Sequence, residues 1–307
     1  MDQVGIRLIN SQDIDELKWS QMLSSSPSIF TQYQEIWFLN SICKSWQVFV
    51  KGDYEAAFVF STQKKGGYSL IYQPFFSRCF SFLGKSDASF EAAVFNRLKK
   101  QSKWIRINLP EKYTAFKDHL KTLSFQQLDL GNDYESIHAN YSTNAKRLLK
   151  KNKHLKLVKT NNVAAFISLF KHQVGDNIGY NASNYQNLET LLNEGLKREK
   201  LIIYAIYDQA DVLGYAAFYF HNNIINYLKG ALNEKGKKFG AMYFAFDQLI
   251  HLYAGKKFIF DFGGSNVEGI AAFYKKFGAS DAVYYEYEIN NLPKFVKGVK
   301  KIKDKLL

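Results

Sequence analysis

One order of apolar runs and turn residues occurs twice in this chain, and that repeat constrains the fold more than any other feature. In the second half, "KLIIYAIYD" and "DVLGYAAFYF" read as strands, "HNN" as a tight polar turn in which asparagine tolerates positive φ, and "IINYLKGA" as a third strand. "LNEKGKKFG" follows as an expected loop, and "AMYFAFDQLIHLYA" sets Met242, Phe246, Leu249, Ile250 and Tyr253 on one helical face. "KKFIFDFGG" is the next strand, broken by Gly263 and Gly264. In the first half, "WQVFVKG", "YEAAFVFST" and "GYSLIYQPF" are three strands, "SFEAAVFNRLKKQ" a helix and "WIRINL" a strand. Both halves spell strand, strand, strand, helix, strand.

A duplicated α/β unit accounts for this economically. Short turns make antiparallel hairpins, while a helix between two strands is the crossover that a parallel pair requires. Each unit is expected to be a mixed, mostly antiparallel sheet flanked by helices. With 307 residues the chain is long enough for two such units. The connection is expected near residues 133–143, "DYESIHANYST", giving units at 1–140 and 141–290. Residues 291–307 carry Phe295, Val299, Ile302 and Leu306 on one helical stripe among lysines. That stripe either packs on the body or lies against anionic lipid or RNA, a possible peripheral membrane contact.

The composition narrows the class. Hydrophobic residues are 47% and only 4 prolines occur, which suits packed cores rather than disorder. No run of 18 uncharged apolar residues is present, and the first twenty residues lack the basic-then-apolar order of a signal peptide, so a cytoplasmic protein is expected. Cys43 and Cys79 stand in unlike contexts, as reduced thiols do. The six histidines show no metal-ligand spacing, no G-x-S-x-G elbow exists, and Asp261-Phe262-Gly263 lacks the other loops of a kinase, so no metal is expected. The net charge of +13, from 41 Lys+Arg against 28 Asp+Glu, fits either a solvated lysine surface or an anionic partner such as a nucleotide cofactor, tRNA or an acidic membrane.

Chemistry concentrates in the second half. Lys235, Gly236, Lys237, Lys238 and Gly240 precede a helix whose first turn leaves backbone N–H groups unpaired. Glycines allow close backbone approach and lysines add charge, the ingredients of a phosphate site, though an ordinary surface loop has the same composition. Further on, "IFDFGGSNVEGIAAFYKKFGA" ends a strand at Asp261, breaks it with Gly263, Gly264 and Ser265, and opens a helix bearing Tyr274 and Lys275. Asp261 is a candidate base or a turn cap, and Ser265 a cap or backbone contact. Tyr274 is a candidate proton donor or a packing residue. Tyr180, Asn181 and Asn184 are candidates for an acceptor pocket or for turn chemistry.

Tyr274, Lys276 and Gly278 stand at the spacing of a helix motif in the GNAT acyltransferase fold, with Asn266 one place further off than usual and Ala279 where phenylalanine is common. Over nearly the whole chain the sequence resembles the FemABX family of aminoacyl and peptidyl transferases, built from two GNAT-like units. "YSTNAKRLLKKNKHLKL", "FDFGGS" and "GIAAFYKKFGA" carry that resemblance. It implies N-acyl transfer from an activated donor, aminoacyl-tRNA in the family and acyl-CoA in relatives of the fold, to a small-molecule or peptide amine such as a peptidoglycan precursor. It also implies that Arg147 and Lys150, on the basic helix, face an anionic substrate, and that the lysine-glycine loop holds the donor. Gly263 and Gly264 would leave room for the acyl group. The sequence departs from the family at Tyr274, where many members place lysine, with Lys275 one position on. A non-catalytic tandem-GNAT protein binding tRNA or another anion through its basic surface is the alternative.

Overall fold

The computed structural model describes residues 5–26, 28–175, 179–264 and 267–293. Of the terminal helix expected over 291–307, residues 294–307 lie outside the described residues, as do Ser265 and Asn266. The chain divides into two compact units, one taking residues up to Leu123 and again from Val283, the other Ser124–Ala282.

In the first unit, β1 (Ile6–Asn10), α1 (Glu16–Ser25) and α2 (Ile36–Ile42) lead into β2 (Trp46–Lys51), β3 (Ala56–Lys65) and β4 (Tyr68–Tyr72). β5 (Phe82–Gly84), α3 (Ala88–Gln101) and β6 (Trp104–Leu109) come next. The sheet runs β1-β2-β3-β4-β6, with β5 on β3. All these pairs are antiparallel except β4 with β6, which α3 joins as the crossover. The Asp87 carboxylate starts α3 by accepting the Phe90 N–H at 2.8 Å, and Phe90, Val94 and Leu98, four apart, point into the core. The final strand of the described chain returns here, pairing Tyr285–Asn290 with Leu109–Trp104.

The second unit begins at Ser124, within β7 (Leu120–Asp129), whose later residues pair with the strand that ends at Asp261. Residues 133–143, expected as a connection, contain α4 (Tyr134–Ala139) and the start of α5 (Thr143–Lys151). Next come β8 (Lys156–Thr160), α6 (Val163–Gln173), α7 (Ala182–Lys197), β9 (Leu201–Asp208), β10 (Asp211–His221) and β11 (Ile224–Leu232). α8 (Glu234–Phe239), α9 (Ala241–Tyr253), β12 (Ile259–Asp261), α10 (Glu268–Lys275) and β13 (Ser280–Asn290) complete the order. The sheet runs β7-β12-β11-β10-β9-β8. β11 and β12 are parallel, joined through α9; their neighbours are antiparallel. The turn between β10 and β11 uses Asn222 at φ 50, the left-handed conformation that asparagine tolerates.

Phe246, on α9, organises the core of this unit. Its ring centroid lies 4.8 to 5.7 Å from those of Tyr227, Phe260, Phe262, Phe273 and Phe277. Aromatic side chains in such tilted and edge-on arrangements contribute beyond their buried area, by about 0.5–1.5 kcal/mol a pair.

Candidate active site

The parallel pairing of β11 and β12 ends at Asn226 opposite Asp261, while β11 continues to Leu232. Across β11 the ladder with β10 slips at the same place: Tyr227 faces Phe218, but Lys229 faces Ala217, leaving Leu228 as the extra residue of a bulge. Bulges bend a strand and redirect its side chains, and they recur beside active sites.

A turn built on Asp261 ends β12. Asp261 is 2% exposed, and its carboxylate closes the turn by accepting the Gly263 N–H at 2.9 Å. Gly263 and Gly264 have φ of 80 and 70, and a Cβ there would stand 2.5 Å from the Tyr227 carbonyl oxygen and 2.4 Å from Phe125 Cβ. The space beside these glycines is therefore filled by β11 and β7. Both the backbone angle and the packing require glycine.

Tyr274 is 7% exposed and lies on α10 with its ring stacked on Phe262, the residue directly after Asp261. A second phenol is close by. Burial pushes the Tyr227 hydroxyl well above its ordinary pKa, and the neighbouring Tyr274 adds to the rise. Burial also pulls the Lys229 ammonium below its ordinary value. Tyr227 is not legible in the sequence as a neighbour of Tyr274; its signal is the bulge, a property of pairing with β10.

Tyr274 and its sequence neighbours have different surroundings. Lys275 Nζ donates to Asp281 at 2.6 Å, in a half-exposed ion pair, and Gln126 donates to the same carboxylate at 2.9 Å. Lys276 donates to the Tyr243 hydroxyl at 3.1 Å, on the first turn of α9. The structure brings Asp261, Gly263, Gly264 and Tyr274 together around Phe262 and Tyr227, and it puts Lys275 in the surface pair.

The stretch expected as a phosphate-holding loop is the short helix α8. Asn233 caps it, accepting the Gly236 N–H at 2.8 Å, a signal present in the sequence and hidden by the glycine and lysines around it. Lys235 donates to Asp208 at 2.9 Å and to Asp211 at 2.6 Å, and Lys237 to Gln173 at 2.6 Å and Glu234 at 2.8 Å. A Cβ on Gly236 would stand 2.4 Å from the Leu213 carbonyl oxygen, so this glycine serves helix-to-strand packing. Lys238 is exposed. Gly240, at φ 67, ends α8 and begins α9, whose first turn has no side-chain cap.

On α5, exposed Arg147 donates to Asn144 Oδ1 at 3.0 Å. Lys150 instead lines a cavity with Tyr134, His138, Lys146, Lys153 and Asp247. Asn181 and Asn184 form a reciprocal cap at the start of α7, and Tyr180 packs on Phe170 and Tyr185, so this stretch carries turn and core chemistry.

Two mixed α/β units, each with a helix crossing between parallel strands, define the class: this chain has a tandem GNAT fold. FemX is similar over 91% of this chain and 96% of its own, at 12% identity and a TM-score of 0.62. L-PGS from Bacillus licheniformis is similar over 91% and 93%, at 11% identity and a TM-score of 0.51. A tandem GNAT protein from the clavulanic acid biosynthesis pathway matches over 94% of this chain and all of its own, at 9% identity and a TM-score of 0.51. No protein-family model matches the sequence, and no curated protein matches it. No helix among the described residues is long and apolar enough to cross a membrane.

Proposed function

We propose that the second unit transfers an acyl or aminoacyl group from an activated donor, acyl-CoA or aminoacyl-tRNA, to an amine acceptor such as a cell-wall precursor. The observation that carries this reading is the buried Tyr274, stacked on the residue after Asp261 where the parallel pairing of β11 and β12 ends, in a chain of tandem GNAT fold. The acceptor nitrogen forms a bond to the acyl carbonyl carbon, and the bond from that carbon to the donor's sulfur or ribose oxygen breaks. Tyr274 gives its hydroxyl proton to the departing atom and regains one from the amine, so the protons balance without a separate base. Asp261 holds the turn that sets β12 against α10. Tyr227, kept protonated by burial, supplies a hydrogen-bond donor beside Tyr274. Holding donor and acceptor together supplies much of the rate.

The test is a donor screen by thermal shift with CoA, acetyl-CoA and aminoacylated tRNA, followed by mass spectrometry of candidate amine acceptors. A ligand of the folded state raises the melting temperature as its concentration exceeds its dissociation constant. Absence of any shift and of any acylated product, across both donor classes, would end the enzymatic reading.

The capture of Lys235 and Lys237 by neighbouring carboxylate and amide oxygens takes them from a donor-phosphate site and so favours a second reading, a tandem GNAT protein that binds tRNA or another anion through other exposed basic residues such as Arg147, without turnover. Binding of tRNA with no product from any charged donor is its signature.

A further inference from the structure

A cavity of about 750 Å³ lies between α4, α5 and the side of α9 that bears Asp247. Consecutive α9 residues divide between this cavity and the aromatic core: Phe246 packs on Phe262 at 5.3 Å, while Asp247 faces the cavity. The volume falls within the usual range for small-ligand sites, about 300–1,000 Å³.

The lining has three chemistries. Lys146 and Lys150 stand one turn apart on α5, and Lys153 lies two residues beyond its end. Lys146 gives one proton to the Ala139 carbonyl at 2.8 Å and keeps two donors. Exposed Lys150 and Lys153 make no ion pair with any described residue. The second chemistry is flat and apolar: Tyr134 and His251 stack at 4.2 Å, and Leu149, Leu155 and Phe244 form the wall. The third is a buried acceptor. Asp247 is 6% exposed and accepts the Tyr134 hydroxyl at 2.8 Å; the buried Tyr141 hydroxyl lies near it, outside hydrogen-bonding geometry. Three ammonium groups at one place call for a phosphate. A stacked aromatic pair and an apolar wall call for a planar ring. A buried carboxylate calls for a donor on that ring.

We propose that this cavity binds a nucleoside monophosphate group carrying a ring amino group, its phosphate held by Lys146, Lys150 and Lys153 and the amino group donated to Asp247. The group is either a free nucleotide or the terminal residue of a polynucleotide. The free-nucleotide form does not depend on the acyl-transfer reading, because none of the site's residues belongs to the cluster around Tyr274, whereas the polynucleotide form rests on that reading's tRNA donor.

Titration calorimetry of the full chain with AMP, IMP, adenosine and inorganic phosphate tests it. AMP is expected to bind at least about tenfold more tightly than adenosine, which lacks the phosphate, and than IMP, which lacks the amino group. Added salt is expected to weaken AMP binding. The Lys150→Glu/Lys153→Glu variant is expected to lose AMP binding by at least about tenfold. Asp247→Asn, which keeps an oxygen for Tyr134, is expected to erase the preference for AMP over IMP. Displacement of AMP by tRNA ending in adenosine, but not by tRNA lacking that terminal nucleotide, identifies the polynucleotide source; no displacement by either identifies the free nucleotide. Failure of AMP to bind at millimolar concentration, equal binding of adenosine, or undiminished binding by the folded lysine variant overturns the proposal.

Discussion

The ring of Tyr274 lies on the ring of Phe262, centroids 5.0 Å apart and planes inclined at 27°. A residue on α10 is thereby fixed against the residue directly after β12. Tyr274→Phe keeps this stack and removes only the hydroxyl. Turnover is expected to fall by about 10²-fold or more at unchanged donor affinity, the effect of losing a general acid. The fall should exceed that of Lys275→Ala, whose ammonium is engaged by Asp281. Steady-state kinetics on both variants checks the order. Wild-type turnover in Tyr274→Phe would leave the residue to packing alone. Tyr274→Ala, which empties a buried aromatic site, should cost stability as well, about 3–5 kcal/mol.

The two glycines after Asp261 offer a test that needs no substrate. Gly264→Ala introduces a methyl 2.4 Å from Phe125 Cβ at a φ of 70. Left-handed backbone costs about 1–2 kcal/mol for a residue with a Cβ, and overpacking about 1–3 kcal/mol more. Gly269→Ala is the control, since nothing lies within 4 Å of its Cβ position on α10. It should stabilise by about 0.5–1 kcal/mol, as alanine does in a helix. Urea denaturation of the two variants should give shifts of opposite sign.

Asp247 makes stability depend on pH in a stated direction. Burial raises its carboxyl above the ordinary aspartate value, and the hydrogen bond from Tyr134 offsets only part of that. The folded state therefore favours the neutral acid over the range between the unfolded and folded pKa values. The contribution is full below the unfolded value and is lost as pH rises through the folded one. Asp247→Asn removes this titration. The melting temperature of the variant relative to wild type should climb from about pH 3.5 towards neutrality. A difference that does not change with pH would show that Asp247 ionises as it does in the unfolded chain.

Charge reversal separates two neighbouring lysines. Lys235→Glu faces Asp208 and Asp211 with a third carboxylate, so the melting temperature should drop, and added salt should restore part of it. Lys238→Glu, at an exposed position on the same short helix, should change it less. Equal drops would mean that the Lys235 pairs contribute nothing in solution.

Local signals make much of this protein legible from its residues alone. The repeated strand-strand-strand-helix-strand order is written in short-range periodicity, and both units have it with one element added before the crossover helix, β5 in the first and α8 in the second. Asn222 in its hairpin and the two glycines after Asp261 act through their own backbone angles, which residue type reports directly. Asp261 as a turn cap spans two residues, so it too is readable. Sequence does not decide where side chains end that reach across the fold. Lys275 finds Asp281 across a turn, Lys235 finds carboxylates on β9 and β10, and Tyr134 reaches Asp247 from 113 residues away. Tyr227 and Lys229 gain their altered acidity beside a bulge that exists only when β11 pairs with β10. Tertiary packing alone sets those partners, because a charged or phenolic group takes its chemistry from whatever neighbours lie within a few ångströms, and sequence spacing does not measure that distance.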